Sequence, residues 1–102
     1  MSPVNPRLYL ALTGIGFALI ELRRFDEAIV VLKKSLRQNL YLATYLCLAS
    51  AFAHLGRDAE AQDAAARVLE IDPAFTISAL IARVPKNSKL FIEGLRKAGL
   101  PE

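Results

Sequence analysis

Apolar residues recur along this chain at helical rather than strand spacing, in six blocks separated by charged or turn-forming residues. The pattern predicts helices over 6–22, 26–38, 42–55 and 59–71, with Asp72-Pro73 breaking the chain after the fourth. A fifth helix is expected after a Thr76 cap and before Pro85, because the residue ahead of a proline disfavours helix. A sixth runs from Asn87-Ser88 to Ala98, with Gly99 as its C-cap and Pro101 beyond it. The first block, 8–20, is almost wholly apolar. A bilayer span needs about 20 such residues, and Glu21, Arg23 and Arg24 close this one early, so it reads as a buried core helix.

The first four helices are two copies of one unit. Phe25-Asp26-Glu27-Ala28-Ile29 lies 33 residues before Asp58-Ala59-Glu60-Ala61-Gln62. At the same offset Leu22-Arg23-Arg24 matches Leu55-Gly56-Arg57, and Leu12, Ile15, Gly16 and Leu19 match Tyr45, Leu48, Ala49 and Phe52. Small residues at 16, 28, 49 and 61 fall where paired helices cross, letting their backbones approach, and larger ones a turn away fill the space beside them. Gly56 suits the left-handed conformation that ends a helix, and Asp26 and Asp58 are expected to cap the helices that follow. The first turn has Arg23 where glycine is expected, so its helix end is the weaker one.

This order of residues (Tyr45, Leu48-Ala49, Phe52, Ala61, Ala65, Pro73, and less completely Leu12, Ile15-Gly16, Leu19, Ala28, Leu32) resembles the tetratricopeptide repeat over about residues 7–74. The usual period is about 34, so one residue is missing near Asn39-Leu40-Tyr41, as is the first unit's proline. The resemblance implies an all-α chain: a fragment of a right-handed solenoid with repeat one at 7–39, repeat two at 42–74 and C-terminal capping helices at 75–102. The stripe of Leu90, Phe91 and Leu95 is expected to cover the open end of the stack. Such repeats bind extended peptides or helices along a concave face lined by the first helix of each pair. Carried over, that face holds Leu10, Thr13, Phe17, Ile20, Glu21, Leu46, Cys47, Ser50, Ala53 and His54. It lacks the lysines, asparagines and arginines of a carboxylate clamp and is mostly apolar. It suits an apolar helix, another part of the parent protein or a second copy, or else packs against a neighbouring repeat.

The ends carry a narrower likeness. Ser2-Pro3-Val4-Asn5-Pro6, together with 71–77, 82–85 and 91–102, is similar to the inter-repeat turn and tail of bacterial proteins in which such repeats follow a class III adenylate/guanylate cyclase domain. Some relatives carry a winged-helix DNA-binding domain instead. Lys86 departs from the tail, where an aromatic follows the proline. The likeness implies that Glu102 is the natural end of the parent and that further repeats precede Met1. An interaction module from a cyclase-type signalling protein is the leading expectation, and one from a transcription regulator is the alternative. None of the cyclase's own chemistry belongs to these residues.

Charge and reactive side chains change this picture little. A net charge of +3, with acids interspersed among the bases and no run of five like charges, gives no nucleic-acid arm. Cys47 is the only cysteine and His54 the only histidine, which leaves no disulfide and argues against a zinc cluster. A lone thiol fits a reducing, cytoplasmic setting. No serine lies in a G-x-S-x-G context, and Gly14-x-Gly16 follows no strand. A small helical enzyme using His54 or Cys47 is the remaining alternative. No cofactor, metal or membrane span is expected; a protein or peptide partner is. If further repeats precede it, helix one is cut open around Tyr9, Ile15 and Phe17, and a weak or moderate homodimer across that surface is expected.

Overall fold

The computed structural model describes residues 7–84 and 88–102. They form six helices, α1 (Leu8–Glu21), α2 (Phe25–Gln38), α3 (Leu42–His54), α4 (Asp58–Ile71), α5 (Ile77–Arg83) and α6 (Lys89–Lys97), and no strands. The expected starts at Pro6 and Asn87, the turn at 2–6, the stop at Pro85 and the departure at Lys86 lie outside the described residues.

Packing pairs α1 with α2 and α3 with α4, and α2 against α3 joins the two hairpins. The crossing points are as the small residues require. A Cβ at Gly16 would lie 2.5 Å from Leu32 Cδ2, and Leu32 is fully buried, so a side chain there would force the core apart. Ala28, Ala49 and Ala61 are likewise buried.

The two interhelix turns share one hydrogen-bond pattern. Arg24 N–H donates to Leu19 O at 2.8 Å, and Arg57 N–H to Phe52 O at 2.9 Å. These are the six-to-one bonds that satisfy free carbonyls at a helix end. The pattern places Arg23 at φ 60° and Gly56 at φ 74°. Only the second is a residue without a steric cost there. The expected aspartate caps are corrected. Arg24 and Arg57 occupy the N-cap positions without side-chain cap bonds, and Asp26 and Asp58 sit in the first turns, where their negative charge complements the positive end of the helix dipole. Beside each turn an ion pair one turn long follows, Arg24 with Glu27 and Arg57 with Glu60.

The two C-terminal helices do have side-chain caps: Thr76 Oγ1, as expected, accepts from Ala79 N–H at 3.1 Å, and Ser88 Oγ, at the expected start of the last helix, accepts from Phe91 N–H at 3.2 Å. Ile77 is fully buried, but most of α5 is exposed. The chain end returns to the start of α5, with Ile77 N–H donating to Pro101 O at 2.9 Å and Ser78 N–H to Glu102 O at 2.8 Å. Helix α6 packs chiefly on α3, with a lighter contact on α1. That corrects the expectation that its apolar stripe covers the end of the stack. Phe91, Ile92 and Leu95 are buried, with Leu90 only half-buried, and the helix lies on the inner side, against the first helix of each pair.

Candidate functional site

The residues expected to line the concave face do come together, but not as an open groove. Thr13, Ile20, Leu46, Cys47, Ser50 and Ala53 are buried, Phe17 and His54 half-buried, and Leu10 and Glu21 exposed. The cover over the α3 half is α6.

Three features of α3 and α1 seat that helix. Ser50, fully buried, donates from Oγ to Phe91 O at 3.0 Å. One turn on, His54 Nε2 lies 2.6 Å from Leu90 O, so this nitrogen carries the proton and donates. The imidazole is held by stacking on Phe25, with ring centres 5.0 Å apart and planes 13° from parallel. Phe17 of α1 meets Phe91 edge to face at 5.3 Å. The two helices approach so closely that a Cβ at Gly94 would fall 2.1 Å from Ser50 Oγ and 2.7 Å from Ser50 Cα. A side chain cannot be fitted there without moving backbone.

Beside this seat, between α1, α3, α5 and α6, lies an apolar cavity of about 350 Å³. Phe17, Leu46, Cys47, Leu80 and Phe91 form much of its wall. Burial pushes the Cys47 thiol up to about 12, so it stays protonated at neutral pH and is a poor nucleophile. Ser50 has committed its proton to a carbonyl. Among the described residues no group of three or more His, Cys, Asp or Glu could hold a metal ion. The arrangement is therefore chemically suited to holding a helix. Among the described residues no helix is long and apolar enough to cross a membrane.

Thr13 serves the scaffold. Its Oγ1 donates to Tyr9 O at 2.7 Å and lies 2.7 Å from Thr44 Oγ1 and 2.9 Å from Ser35 Oγ, while Ser35 donates to Tyr9 O at 2.8 Å. With Thr13 and Ser35 both turned to that carbonyl, Thr44 donates to Thr13, and α1, α2 and α3 are fixed at one meeting point.

The expected open patch around Tyr9, Ile15 and Phe17 is divided. Tyr9 meets Tyr41 edge-on at 5.2 Å and Phe17 meets Phe91, leaving Ile15 in solvent at 51% exposure. Its repeat-two counterpart, Leu48, is 3% exposed.

Sequence reasoning did not single out Gly94 or Ile92. The available signal was a glycine inside an amphipathic helix, which marks a close backbone approach.

A family model described as tetratricopeptide repeat matches residues 9–40 and 42–75. No curated protein and no solved structure matches the chain.

Proposed function

We propose that this chain, which belongs to the tetratricopeptide-repeat family, serves as a non-catalytic protein-interaction module whose inner face, lined by α1 and α3, binds a protein partner. The observation that carries this reading is α6, an amphipathic helix already seated on that face through Phe17, Ser50 and His54. Leu10 and Glu21 lie at its exposed margin. A photoreactive residue placed at either position in the native host should crosslink to one protein, and Phe17→Ala should abolish the crosslink. Crosslinking no greater than from a control on the outer surface of α4, such as Gln62, would contradict the reading.

For the parent protein we propose a multidomain bacterial signalling protein with a nucleotide cyclase domain, working in the cytoplasm. Its support is the likeness of 71–77, 82–85 and 91–102 to the tail of such proteins. Reading the gene upstream of residue 1 tests this, since a cyclase domain there supports it and a winged-helix domain transfers the module to a transcription regulator.

A second reading, self-association, has its own observation. Ile15 and Leu22 of one repeat stand 51% and 64% exposed. A homodimer across the outer side of α1 would cover them, and light scattering should show Ile15→Glu shifting it to monomer. A wild-type chain that is monomeric at high concentration would remove this reading.

A further inference from the structure

We infer that the inner face recognises a helix through its backbone and an aromatic-x-x-glycine pattern, that α6 is its built-in occupant, and that a partner helix carrying the pattern competes with α6. This inference rests on the interaction reading above and names the kind of partner.

Ser50 and His54 bind two consecutive main-chain carbonyls, those of Phe91 and Leu90. Such bonds identify a helix at a set depth but carry no sequence information. Selectivity comes from the side chains around them. Phe17 offers an edge-to-face slot for an aromatic residue, filled by Phe91. Three positions later nothing larger than hydrogen fits, because the space of a Cβ at 94 is taken by Ser50. Buried Ile92, Leu95 and Ala98 complete the docked side, while Lys89, Glu93, Arg96 and Lys97 face water. The face thus reads Phe-Ile-x-Gly-Leu-x-x-Ala as one stripe.

Two observations make α6 an occupant rather than an inseparable part of the core. It is joined to the hairpins through the mostly exposed α5, and the tail beyond it is anchored by the buried Leu100 side chain, by two backbone bonds to the start of α5 and by the exposed Arg96–Glu102 pair. It also fills the face incompletely, since the cavity of about 350 Å³ lies directly beside Phe91. A partner helix whose aromatic or leucine side chain enters that cavity gains contacts that α6 does not make. A tethered helix competes at an effective concentration in the millimolar range, so an untethered one binds visibly only when α6 is weakened or the partner fits better.

The experiment uses the full chain and a labelled synthetic peptide of residues 88–102. Gly94→Val in the chain should unseat α6 while leaving α1–α4 helical by circular dichroism. The wild-type peptide should then bind this variant at least about 10-fold more tightly than it binds the wild-type chain. A peptide carrying Gly94→Val should not bind. Equal binding of the two peptides, or no binding to a variant that keeps its helices, overturns the inference. Hydrogen exchange on the wild-type chain decides the matter even if the variant unfolds. Amides of 89–98 should exchange through an opening that leaves 42–54 protected. Exchange of both segments in a single global event overturns the proposal. A partner protein that crosslinks to the module yet is not displaced by the peptide would sink this inference and leave the interaction reading standing.

Discussion

Helices α1 and α3 hold the same place in successive repeats, 33 residues apart, and both are apolar nearly all round. Their fates differ. Nine of the thirteen residues of α3 are buried, against three of the fourteen in α1. Composition does not explain this, because Ile15 and Leu48 are equally suited to a core. Neighbours do: α3 packs against α2 on one side, α4 on another and α6 across its inner face, whereas among the described residues no helix packs on α1 as α2 packs on α3. An apolar pattern states how much surface a helix can bury, and its partners decide how much it does.

The sharpest way to break the comparison is to truncate matched positions. Leu48→Ala should cost about 2–5 kcal/mol, the range for deleting a buried leucine side chain. Ile15→Ala should cost well under about 1 kcal/mol because half its surface already meets water. Urea unfolding of the two variants measures both, and equal losses would mean that α1 is covered in solution.

A smaller effect is expected where the hairpins are tied together. Thr13→Val removes the acceptor for Thr44 and leaves that buried hydroxyl with only Ser35, 3.4 Å away. The cost should be about 1–3 kcal/mol, as for a buried polar group left poorly paired. The same urea titration checks it, and a neutral result would show that the hydroxyls do not fix the meeting of the three helices.

The smallest effect compares the two turns. Arg23→Gly should stabilise the chain by about 1 kcal/mol, because glycine accepts a positive φ without the steric cost an arginine bears. Gly56→Ala should destabilise it by a similar amount, about 1 kcal/mol. Thermal melting separates them by the sign of the shift in Tm.

Much of this was legible in the sequence. The 33-residue offset gave the hairpins, the small residues at 16, 28, 49 and 61 gave their crossings, and Thr76 gave one cap. Arg23 in place of glycine marked the strained turn. Side chains named for the inner face, Phe17, Ser50 and His54 among them, do meet at one place. What covers them was not legible, because periodicity shows that α6 has one apolar side without naming the surface it meets. That choice is made by a long-range fit, in which Gly94 and Ser50 must come within a side chain's width. The aspartates were misplaced by one or two positions for a local reason: the turn bonds at Arg24 and Arg57 start each following helix early, and the carboxylates then fall within the first turn.

The central claim is that α6 closes the inner face over α3, and Cys47 reports on it directly. It is 4% exposed at the wall of the cavity beside Phe91. Its buried thiol, pushed up to about 12 from an ordinary 9.0, holds its proton where an exposed thiol has begun to ionise. Raising the pH through that window favours the opened chain, because the open form loses its proton first. The measurement is the rate of iodoacetamide reaction with the native chain near pH 8, for wild type and for Gly94→Val. The structure predicts strong protection in the wild type and at least about a 10-fold faster reaction in the variant while its helix content persists. A wild-type thiol that reacts as fast as in the unfolded chain would show that the face stands open, and the account would be wrong.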